Sequence, residues 1–451
     1  MAEQTKYKLS DLDKSGFHME VPLLLFYQIS PEVNVQELLS SLKAGLNNAL
    51  GALPFMTGEL QLQENGELCI IKDENSKLEF DINQVNSTGQ PSFSDLARTS
   101  FAPDQMGYAK YLPAAATDRK PACLLKLSLL EGGLVLGARI NHATGDWFSI
   151  DRFLSLIFQG CKAHREGAEM PTFTPDLNRG PFNTPLDAAE YTRQESVEKL
   201  QFFYVMEKSQ WKPPAGSLSS FEAKIYRVDG ATLKALKGEC LPYLREGGFV
   251  SSYDVLSALI WTSITRARLH LDPTKKGCLS RLIQPIDVRS RDPGHTSSEH
   301  YFGNAVIATQ AGPINSDDFT SEDDPVRGLA LAAATIRKST KAVDISLVNH
   351  LTSLRSSLGP TEMMGSHADF TNMDVFVNTW ALANIERYDL GHGVAPVALR
   401  MHTALPGACA VILPTLPRSS ERAFDLHLQA STKEHDFLKN DVVFSKYIQS
   451  F

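Results

Sequence analysis

The spacing of apolar and polar positions divides the first part of the chain into strand and helix candidates. Residues 21–29, VPLLLFYQI, form a continuous apolar run that is typical of a buried strand. In the next segment valine and leucine recur every three or four residues, which predicts an amphipathic helix of about 18 residues. We expect Ser30 to cap this helix and Pro31 to lie in its first turn. The helix should pack one face on a sheet.

A predicted hairpin leads to the segment with the clearest chemistry. Residues 123–141 contain two extended apolar runs that are interrupted by Glu131-Gly132-Gly133, the pattern of two strands joined by a turn. A helix is predicted from about Trp147, because apolar residues then recur on one face: Ile150, Phe153, Leu154, Ile157 and Phe158. The sequence NHATGDW therefore places His142 and Asp146 between a strand and a helix.

The character of the chain changes after the predicted helix. Residues 165–220 are rich in proline and polar residues, and the periodicity fades. Because loops of this length are uncommon inside one compact domain, we expect a long crossover connection between two domains. Periodic strands and helices then resume, starting with FEAKIYRV and ATLKALKGECL. The predicted division is an N-terminal domain at 1–180, a linker at 181–220 and a C-terminal domain at 221–451, both domains being α/β.

Composition narrows the class of protein. The 451 residues are 43% hydrophobic and 21% charged, with a net charge of −8, which argues against nucleic-acid binding because that needs a basic face. No apolar run approaches the ~20 residues of a membrane helix, and the charged N-terminus lacks the apolar core of a signal peptide. The six cysteines show no short repeat spacing, so we expect reduced thiols and a cytoplasmic location.

His142 is the candidate catalytic residue. An imidazole titrates near neutral pH and can both accept and return a proton, so a histidine beside the small Ala-Thr-Gly spacer suits a general base. The alternative is that His142 is merely a histidine at a strand end. A metal site is not expected, because no third ligand of suitable spacing is evident.

Further segments give the chain a resemblance to the BAHD superfamily of acyl-CoA-dependent acyltransferases, including its fungal branch of trichothecene O-acetyltransferases. The resemblance covers nearly the whole chain, in the right order. The His-x-x-x-Asp motif maps onto His142 and Asp146. The other matches are Asp287 through Arg291, Tyr301-Phe302-Gly303-Asn304, Asn378-Thr379-Trp380 and Asp389-Leu390-Gly391-His392-Gly393. The last of these departs from the family's Asp-Phe-Gly-Trp-Gly, and Trp147 stands where the family often has glycine.

The resemblance implies an α/β fold of two similar chloramphenicol-acetyltransferase-like domains, with a solvent channel between them and His142 midway along it. It implies acyl-CoA as co-substrate, with acetyl-CoA favoured, and no permanently bound cofactor. The second substrate would be a small-molecule hydroxyl or amine acceptor, and a hydroxyl of a fungal-type specialised metabolite is favoured. Neither nucleic acid nor a membrane is expected as a partner, and the protein is expected to be a monomer.

The resemblance also assigns roles to individual residues. His142 would be the base, while Asp146 would pair with an arginine from the second domain, for which Arg289 is the better candidate and Arg291 the other. Candidate oxyanion donors are Trp380 and Asn378, although Trp380 could equally be a core residue.

The remaining candidates concern the cofactor. Ser251 and Ser252 begin a predicted helix and could bind CoA, or could simply cap the helix. Asp389, Gly391 and Gly393 would shape a tight loop near the cofactor. The basic residues Lys275, Lys276 and Arg281 could contact its phosphates or lie in a solvated loop.

Two alternatives to acyl transfer remain open at this point. One is an enzyme on the same fold in which His142 promotes condensation, cyclisation or isomerisation without CoA. The other is a non-catalytic protein that binds a small molecule.

Overall fold

The structure is a computed structural model that describes residues 4–16, 18–64, 66–84, 91–182, 185–187, 191–212, 220–291, 299–321, 323–402, 407–416 and 423–450. The helices described there are α1 Asp11–Lys14, α2 Val35–Ala52, α3 Phe93–Arg98, α4 Pro103–Met106, α5 Trp147–Glu166, α6 Arg193–Leu200, α7 Gly230–Cys240, α8 Ser252–Leu271, α9 Ser316–Phe319, α10 Pro325–Ala342, α11 Ile345–Ser356, α12 Thr432–Asn440 and α13 Val442–Tyr447.

The strands are β1 Thr5–Lys8, β2 Glu20–Gln28, β3 Glu59–Leu62, β4 Leu68–Lys72, β5 Glu79–Gln84, β6 Cys123–Leu130, β7 Gly133–Asn141, β8 Phe203–Glu207, β9 Phe221–Val228, β10 Leu279–Asp287, β11 Val306–Asn315, β12 Glu362–Ser366, β13 Val375–Thr379, β14 Pro396–Met401, β15 Cys409–Pro414, β16 Phe424–Ser431 and β17 Gln449–Ser450. The predicted hairpin is β6 and β7, and the predicted helices at 147 and 230 are α5 and α7.

The chain divides into two compact units that differ from the predicted division. Unit 1 consists of Met1–Asn183, Pro293–Ala305 and Leu382–His402, and unit 2 contains the rest. The two later segments belong with unit 1 for a physical reason. Strand β14 adds to the unit 1 sheet by pairing antiparallel with β2, and Asn304 and Ala305 donate hydrogen bonds to acidic side chains of unit 1.

Unit 1 is built on a five-stranded sheet in the order β14-β2-β7-β6-β5, with a second sheet in the order β1-β4-β3. Helices α2 and α5 pack against each other, and the Phe158 ring of α5 contacts Tyr27 of β2 at 5.8 Å between centroids. The apolar face predicted for α5 is buried, as expected for a helix that covers a sheet. Residues 142–146 join the central strand β7 to this helix.

The predicted start of α2 is wrong. The helix begins at Val35, and the Asn34 side chain accepts hydrogen bonds from the backbone amides of Gln36 and Glu37. Ser30 caps only the preceding turn, where its hydroxyl accepts from the amide of Glu32. The helix starts after Asn34, whose side chain satisfies two amides of the first turn, whereas the Ser30 side chain satisfies only the amide of Glu32.

Unit 2 contains a seven-stranded sheet in the order β11-β10-β13-β15-β16-β9-β17 and a two-stranded sheet of β12 and β8. Helix α8 is buried along most of its length, and its Arg266 and Arg268 form buried ion pairs with Asp441 and Glu434. Helix α6 and strand β8 fall in the predicted linker, so this region carries ordered elements of unit 2. Residues 183–184, 188–190 and 213–219 of that linker lie outside the described residues. Among the helices of the described ranges, none combines the length and apolar character that crossing a membrane requires.

Glycines allow α2 and α5 to cross closely. A Cβ atom added at Gly45 would lie 2.1 Å from the carbonyl oxygen of Ile157, and one at Gly160 would lie 2.8 Å from the Cα of Gly45. Neither contact can be relieved by a side-chain rotation, because backbone atoms are involved. The spacing of these helices therefore depends on the glycine pair.

We expect Gly45→Ala to lower the free energy of unfolding by about 1–3 kcal/mol, because the helices must move apart. Gly51→Ala is the matched control, since Gly51 lies in the same helix with nothing within 4 Å of the added Cβ. The control should be neutral or stabilise by up to about 1 kcal/mol, because alanine favours helix. Urea unfolding followed by circular dichroism measures both. Equal effects of the two substitutions would contradict the close crossing.

Candidate active site

His142 directly follows strand β7 and is fixed by its backbone. Its amide donates to the carbonyl oxygen of Met19 at 2.8 Å, and the amide of the preceding Asn141 donates to Ala122 at 3.0 Å. The Asn141 side chain accepts from the amide of Ala143 at 3.0 Å, which ties down the residue after the histidine. A Cβ at Gly16 would lie 2.4 Å from the His142 carbonyl carbon. The half-buried imidazole therefore extends from a rigid backbone position.

Asn304 holds both the backbone and the ring of His142. Its side-chain oxygen lies 3.1 Å from the histidine Nδ1, and its Nδ2 donates to the histidine carbonyl oxygen at 2.8 Å. Nδ2 also donates at 2.9 Å to Oδ1 of Asp13. Because a carboxylate oxygen and a carbonyl oxygen both accept, these two bonds fix the orientation of the amide.

This orientation selects the tautomer of the histidine. The oxygen of Asn304 can only accept, so Nδ1 of His142 carries the proton that it donates. In the neutral ring the other nitrogen, Nε2, then holds the lone pair. A ring in this state can accept a proton at Nε2, which is the requirement for a general base.

Asp146 serves the backbone around the site. It is the N-cap of α5, where Oδ1 accepts from the amide of Ser149 at 3.3 Å, and Oδ2 accepts from the amide of Ala305 at 2.9 Å. The Ser149 hydroxyl accepts from the amide of Gly303 at 2.9 Å and donates to its carbonyl at 3.0 Å. Asp146 and Ser149 thus bind the start of α5 to the segment that carries Asn304.

The arginines predicted to pair with Asp146 belong to unit 2. There Arg289 donates to Oδ2 of Asp287 at 3.3 Å, and Arg291 donates to the carbonyl oxygens of Thr340 and Val343 at 2.7 and 2.5 Å. The pairing of Asp146 with either arginine stays a prediction.

The segment at 389–393 is held against the last turns of α5. Asp389 accepts from the amide of Gly391 at 2.7 Å and pairs with Lys162 at 3.4 Å, while Arg165 donates to the carbonyl oxygens of Leu390 and Gly391. Gly391 and Gly393 have φ of +91° and +75°, values that favour glycine. These contacts make the segment a tight loop in unit 1. Its predicted position beside a cofactor stays a prediction.

The other predicted site residues lie in unit 2. Asn378 lies on β13, where its side chain accepts from the amide of Thr379 at 2.7 Å. Trp380 follows that strand and is 4% exposed, with its amide donating to Ile412 at 2.8 Å. Arg281 pairs with Asp374 at 3.5 Å. A role of any of these residues in catalysis or CoA binding stays a prediction.

Ser251 is the N-cap of α8. Its hydroxyl donates to Asp254 Oδ2 at 2.8 Å and accepts from the amide of Asp254 at 3.2 Å, which forms a capping box. Ser251 therefore caps the helix. Ser252 is exposed, and its role in CoA binding stays a prediction.

Five of the six cysteines are buried, and Cys278 is exposed. Burial raises the pKa of Cys161 and Cys409 to about 12 and that of Cys240 to about 11, and it also raises the pKa of Cys69 and Cys123. These thiols are thus poor sources of thiolate near neutral pH. Within the described ranges, no group of three or more His, Cys, Asp or Glu residues could hold a metal ion.

Sequence analysis missed the residues that orient His142. Asn304 belongs to a segment that resembles a family motif, but neither its role nor that of Asp13 is among the predictions. A local signal existed for Asp13, because Ser10-x-x-Asp13 has the spacing of a capping box. Its long-range contact with Asn304 had no signal, since the two residues are far apart in sequence.

Comparisons with known proteins agree with the motifs. The profile of the Transferase family matches residues 1–430. Acyltransferase cm3D of Cordyceps militaris is 22% identical over 98% of this chain and 96% of that protein. Trichothecene 3-O-acetyltransferase TRI101 of Fusarium sporotrichioides is 22% identical over 94% of this chain and 92% of its own.

A solved structure extends the agreement to the fold. F. graminearum TRI101, complexed with coenzyme A and deoxynivalenol, superposes with a TM-score of 0.81 at 19% identity, and 99% of each chain is covered. The α/β fold expected from the motifs is therefore confirmed. Since the family profile matches nearly the whole chain, the protein belongs to the Transferase family, the BAHD family that its motifs resemble, and is an acyltransferase.

Proposed function

We propose that this enzyme transfers an acetyl group from acetyl-CoA to a hydroxyl group of a fungal-type specialised metabolite, with His142 as the general base. The observation that carries the proposal is the contact between Asn304 and the imidazole, because it leaves the Nε2 lone pair for the acceptor proton. The names of the relatives support acetyl transfer, and the acceptor class follows from trichothecene 3-O-acetyltransferase TRI101.

In the proposed reaction His142 Nε2 removes the proton of the acceptor hydroxyl while its oxygen attacks the thioester carbonyl carbon of acetyl-CoA. The carbonyl oxygen becomes the oxyanion of a tetrahedral intermediate. When the carbon–sulfur bond breaks, the imidazolium returns the proton from Nε2 to the departing CoA thiolate. Throughout this cycle Nδ1–H continues to donate to Asn304, so the ring keeps its orientation in both protonation states. No covalent acyl-enzyme is needed.

The oxyanion requires a donor fixed before the reaction. We assign this role to the Trp380 indole N–H, with Asn378 as a second donor, because both match the family segment before the 389–393 loop. The indole nitrogen donates only, which suits an oxyanion. Burial of Trp380 supports a fixed position for this donor.

CoA binding is proposed at the start of α8 and near the 389–393 loop. Ser252 and the helix N-terminus offer donors to the pantetheine or phosphate groups, with Gly391 and Gly393 on the loop. We further propose a monomer in the cytoplasm that takes acyl-CoA as a co-substrate and keeps no bound cofactor.

The direct test is thiol release from acetyl-CoA by the purified protein, with mass spectrometry of the acceptor. Deoxynivalenol is the first probe, since it is bound in the TRI101 structure, followed by a panel of terpenoid, alkaloid and polyketide alcohols. We expect free thiol and an acetylated product in equal amounts. Failure to bind acetyl-CoA and to release thiol with any acceptor would favour a CoA-independent reaction on this fold or a binding protein.

We expect His142→Ala to reduce acetyl transfer to the background rate, because no other group replaces the base. The thermal midpoint should change little, since the imidazole is half-buried. His367→Ala is the control, because this exposed histidine lies in unit 2 and has no proposed role. Full activity of the His142 variant would disprove the proposed base.

Trp380→Phe removes the indole N–H but keeps an aromatic ring. We expect kcat to fall roughly 100-fold with a much smaller change in KM, because an oxyanion donor acts on the transition state. Trp211→Phe is the matched control, since Trp211 is 51% exposed. Steady-state kinetics decide, and an unchanged kcat in the Trp380 variant would leave Trp380 as a core residue.

Asp146→Ala should lower both activity and stability, because the loop and the start of α5 lose their anchor. Loss of the cap costs about 1 kcal/mol, and the buried amide of Ala305 left without this acceptor costs about 1–3 kcal/mol more. Asp344→Ala is the control. Asp344 is an exposed N-cap that accepts from the amide of Leu347, so this substitution removes a cap without a second buried partner. Urea unfolding compares the two, and equal losses would refute the anchoring role of Asp146.

A further inference from the structure

Asp13 is a fully buried carboxylate that contacts the residue orienting the proposed base. Its Oδ1 accepts from the backbone amide of Asn304 at 2.7 Å and from the side-chain Nδ2 of the same residue at 2.9 Å. Asp13 is 0% exposed and Asn304 is 2% exposed. A carboxylate in this environment is costly unless it is hydrogen-bonded and paired.

The other oxygen of Asp13 supplies that compensation. Oδ2 accepts from the amide and the hydroxyl of Ser10, both at 2.8 Å, and lies 3.1 Å from Nε of Arg179. The Arg179 side chain is 11% exposed, and it also donates to the carbonyl oxygen of Phe302. The two oxygens thus have different partners. Oδ1 holds Asn304, and Oδ2 contacts Ser10 and Arg179, whose positive charge compensates the carboxylate.

We propose that Asp13 and Arg179 are positioning residues for His142, and that Asp13 acts on the imidazole through the amide of Asn304. The chain of contacts runs from Arg179 to Asp13 Oδ2, from Asp13 Oδ1 to Asn304 Nδ2, and from Asn304 Oδ1 to His142 Nδ1. A carboxylate that accepts from one end of the amide polarises it, so the amide oxygen becomes a better acceptor for Nδ1–H. The role in catalysis rests on the proposed function, while the effect on the ring does not.

This arrangement gives His142 a carboxylate partner other than the aspartate of its own motif. The Asp146 oxygens accept from the amides of Ser149 and Ala305. The carboxylate that reaches the ring, through one intervening amide, comes instead from the first helix of the chain. Asp13 therefore has the place that an aspartate holds in a serine–histidine–aspartate triad, with an asparagine inserted between the carboxylate and the ring.

The two members of the ion pair have opposite effects on the charged ring. The negative charge of Asp13 stabilises the imidazolium form of His142, whereas the positive charge of Arg179 opposes it. Other charged or titratable groups on the elements that hold His142 and Asn304 include Asp146, the Glu20–Arg139 pair, the Asp11–Lys14 pair of α1, and Glu299 and His300. The variants below leave all of them in place. Substituting each member of the pair in turn should therefore move the histidine titration in opposite directions.

The test is nuclear magnetic resonance of the full-length protein with carbon-13 and nitrogen-15 labelled histidine, in which the His142→Ala variant identifies the His142 signal. We expect the titration midpoint of His142 in Asp13→Asn to move to lower pH by about half a pH unit or more, and in Arg179→Gln to move to higher pH. Arg179→Lys keeps the charge and should restore the wild-type midpoint. Nitrogen shifts should report protonation at Nδ1 in the wild-type neutral ring.

Controls come from a second, more exposed capping box in the same unit. Asp95 accepts from the amide and hydroxyl of Ser92, both at 2.8 Å, and pairs with Arg98, so it repeats the local contacts of Asp13 without a link to Asn304. Asp95→Asn and Arg98→Gln should leave the His142 midpoint unchanged. This comparison separates the proposed action on the ring from the general effect of losing a capped, ion-paired aspartate.

Activity gives an independent reading. With acetyl-CoA and an accepted alcohol, Asp13→Asn should lower kcat roughly 10- to 100-fold, the range found when an outer-shell partner of a metal-bound histidine is lost, while KM for acetyl-CoA stays nearly constant. If the Asp13 variant does not fold, Arg179→Gln alone carries the test.

Midpoints that stay in place, or that move in the same direction for both variants, would overturn the proposed action of the pair. Full activity of His142→Ala would instead overturn the proposed base, so the two failures are distinguishable.

Discussion

The chemistry proposed for this enzyme depends on one neutral side chain, the amide of Asn304. It contacts the backbone of His142 with its nitrogen and the ring with its oxygen. Because the nitrogen also donates to Asp13, the amide cannot reverse without placing its oxygen against a carboxylate. A single hydrogen-bonded orientation therefore determines which ring nitrogen carries the proton and which one can act as a base.

The remaining structure of unit 1 keeps this amide in register with the histidine. His142 is anchored between β7 and the carbonyl of Met19, whereas Asn304 arrives on a segment distant in sequence. Asp146 and Ser149 at the start of α5 bind that segment through Ala305 and Gly303. The close crossing of α2 and α5 at Gly45 in turn supports the helix. The observed contacts of Asp146, the aspartate of the motif, thus hold the start of α5 and the segment that carries Asn304 together.

Local patterns predicted the elements well and the contacts between them poorly. The strand-to-helix setting of His142, helix α5 and the strand at 221 follow from periodicity, which reflects only burial within one element. The predicted cap of α2 at Ser30 is wrong because Ser30-Pro31 and Asn34 offer competing local signals a few residues apart. The assignment of 293–305 and 382–402 to unit 1 depends on strand pairing and buried polar contacts that no local window contains. For the same reason the motif containing Asn304 could be matched from the sequence, while its bond to His142 could not be predicted.

The insertion of an amide between the carboxylate and the ring has a physical consequence. A carboxylate in direct contact with the imidazole would bring its charge, and the groups needed to neutralise it, beside the reacting atoms. Here the charge of Asp13 is compensated by Ser10 and Arg179 within the buried interior, and the ring contacts an uncharged acceptor. Since that acceptor can hold Nδ1–H in both protonation states, the orientation of the ring need not change when Nε2 gains or loses a proton. Asn304 thus orients the ring, whereas Arg179 compensates the charge of Asp13, so substitutions can test the two functions separately.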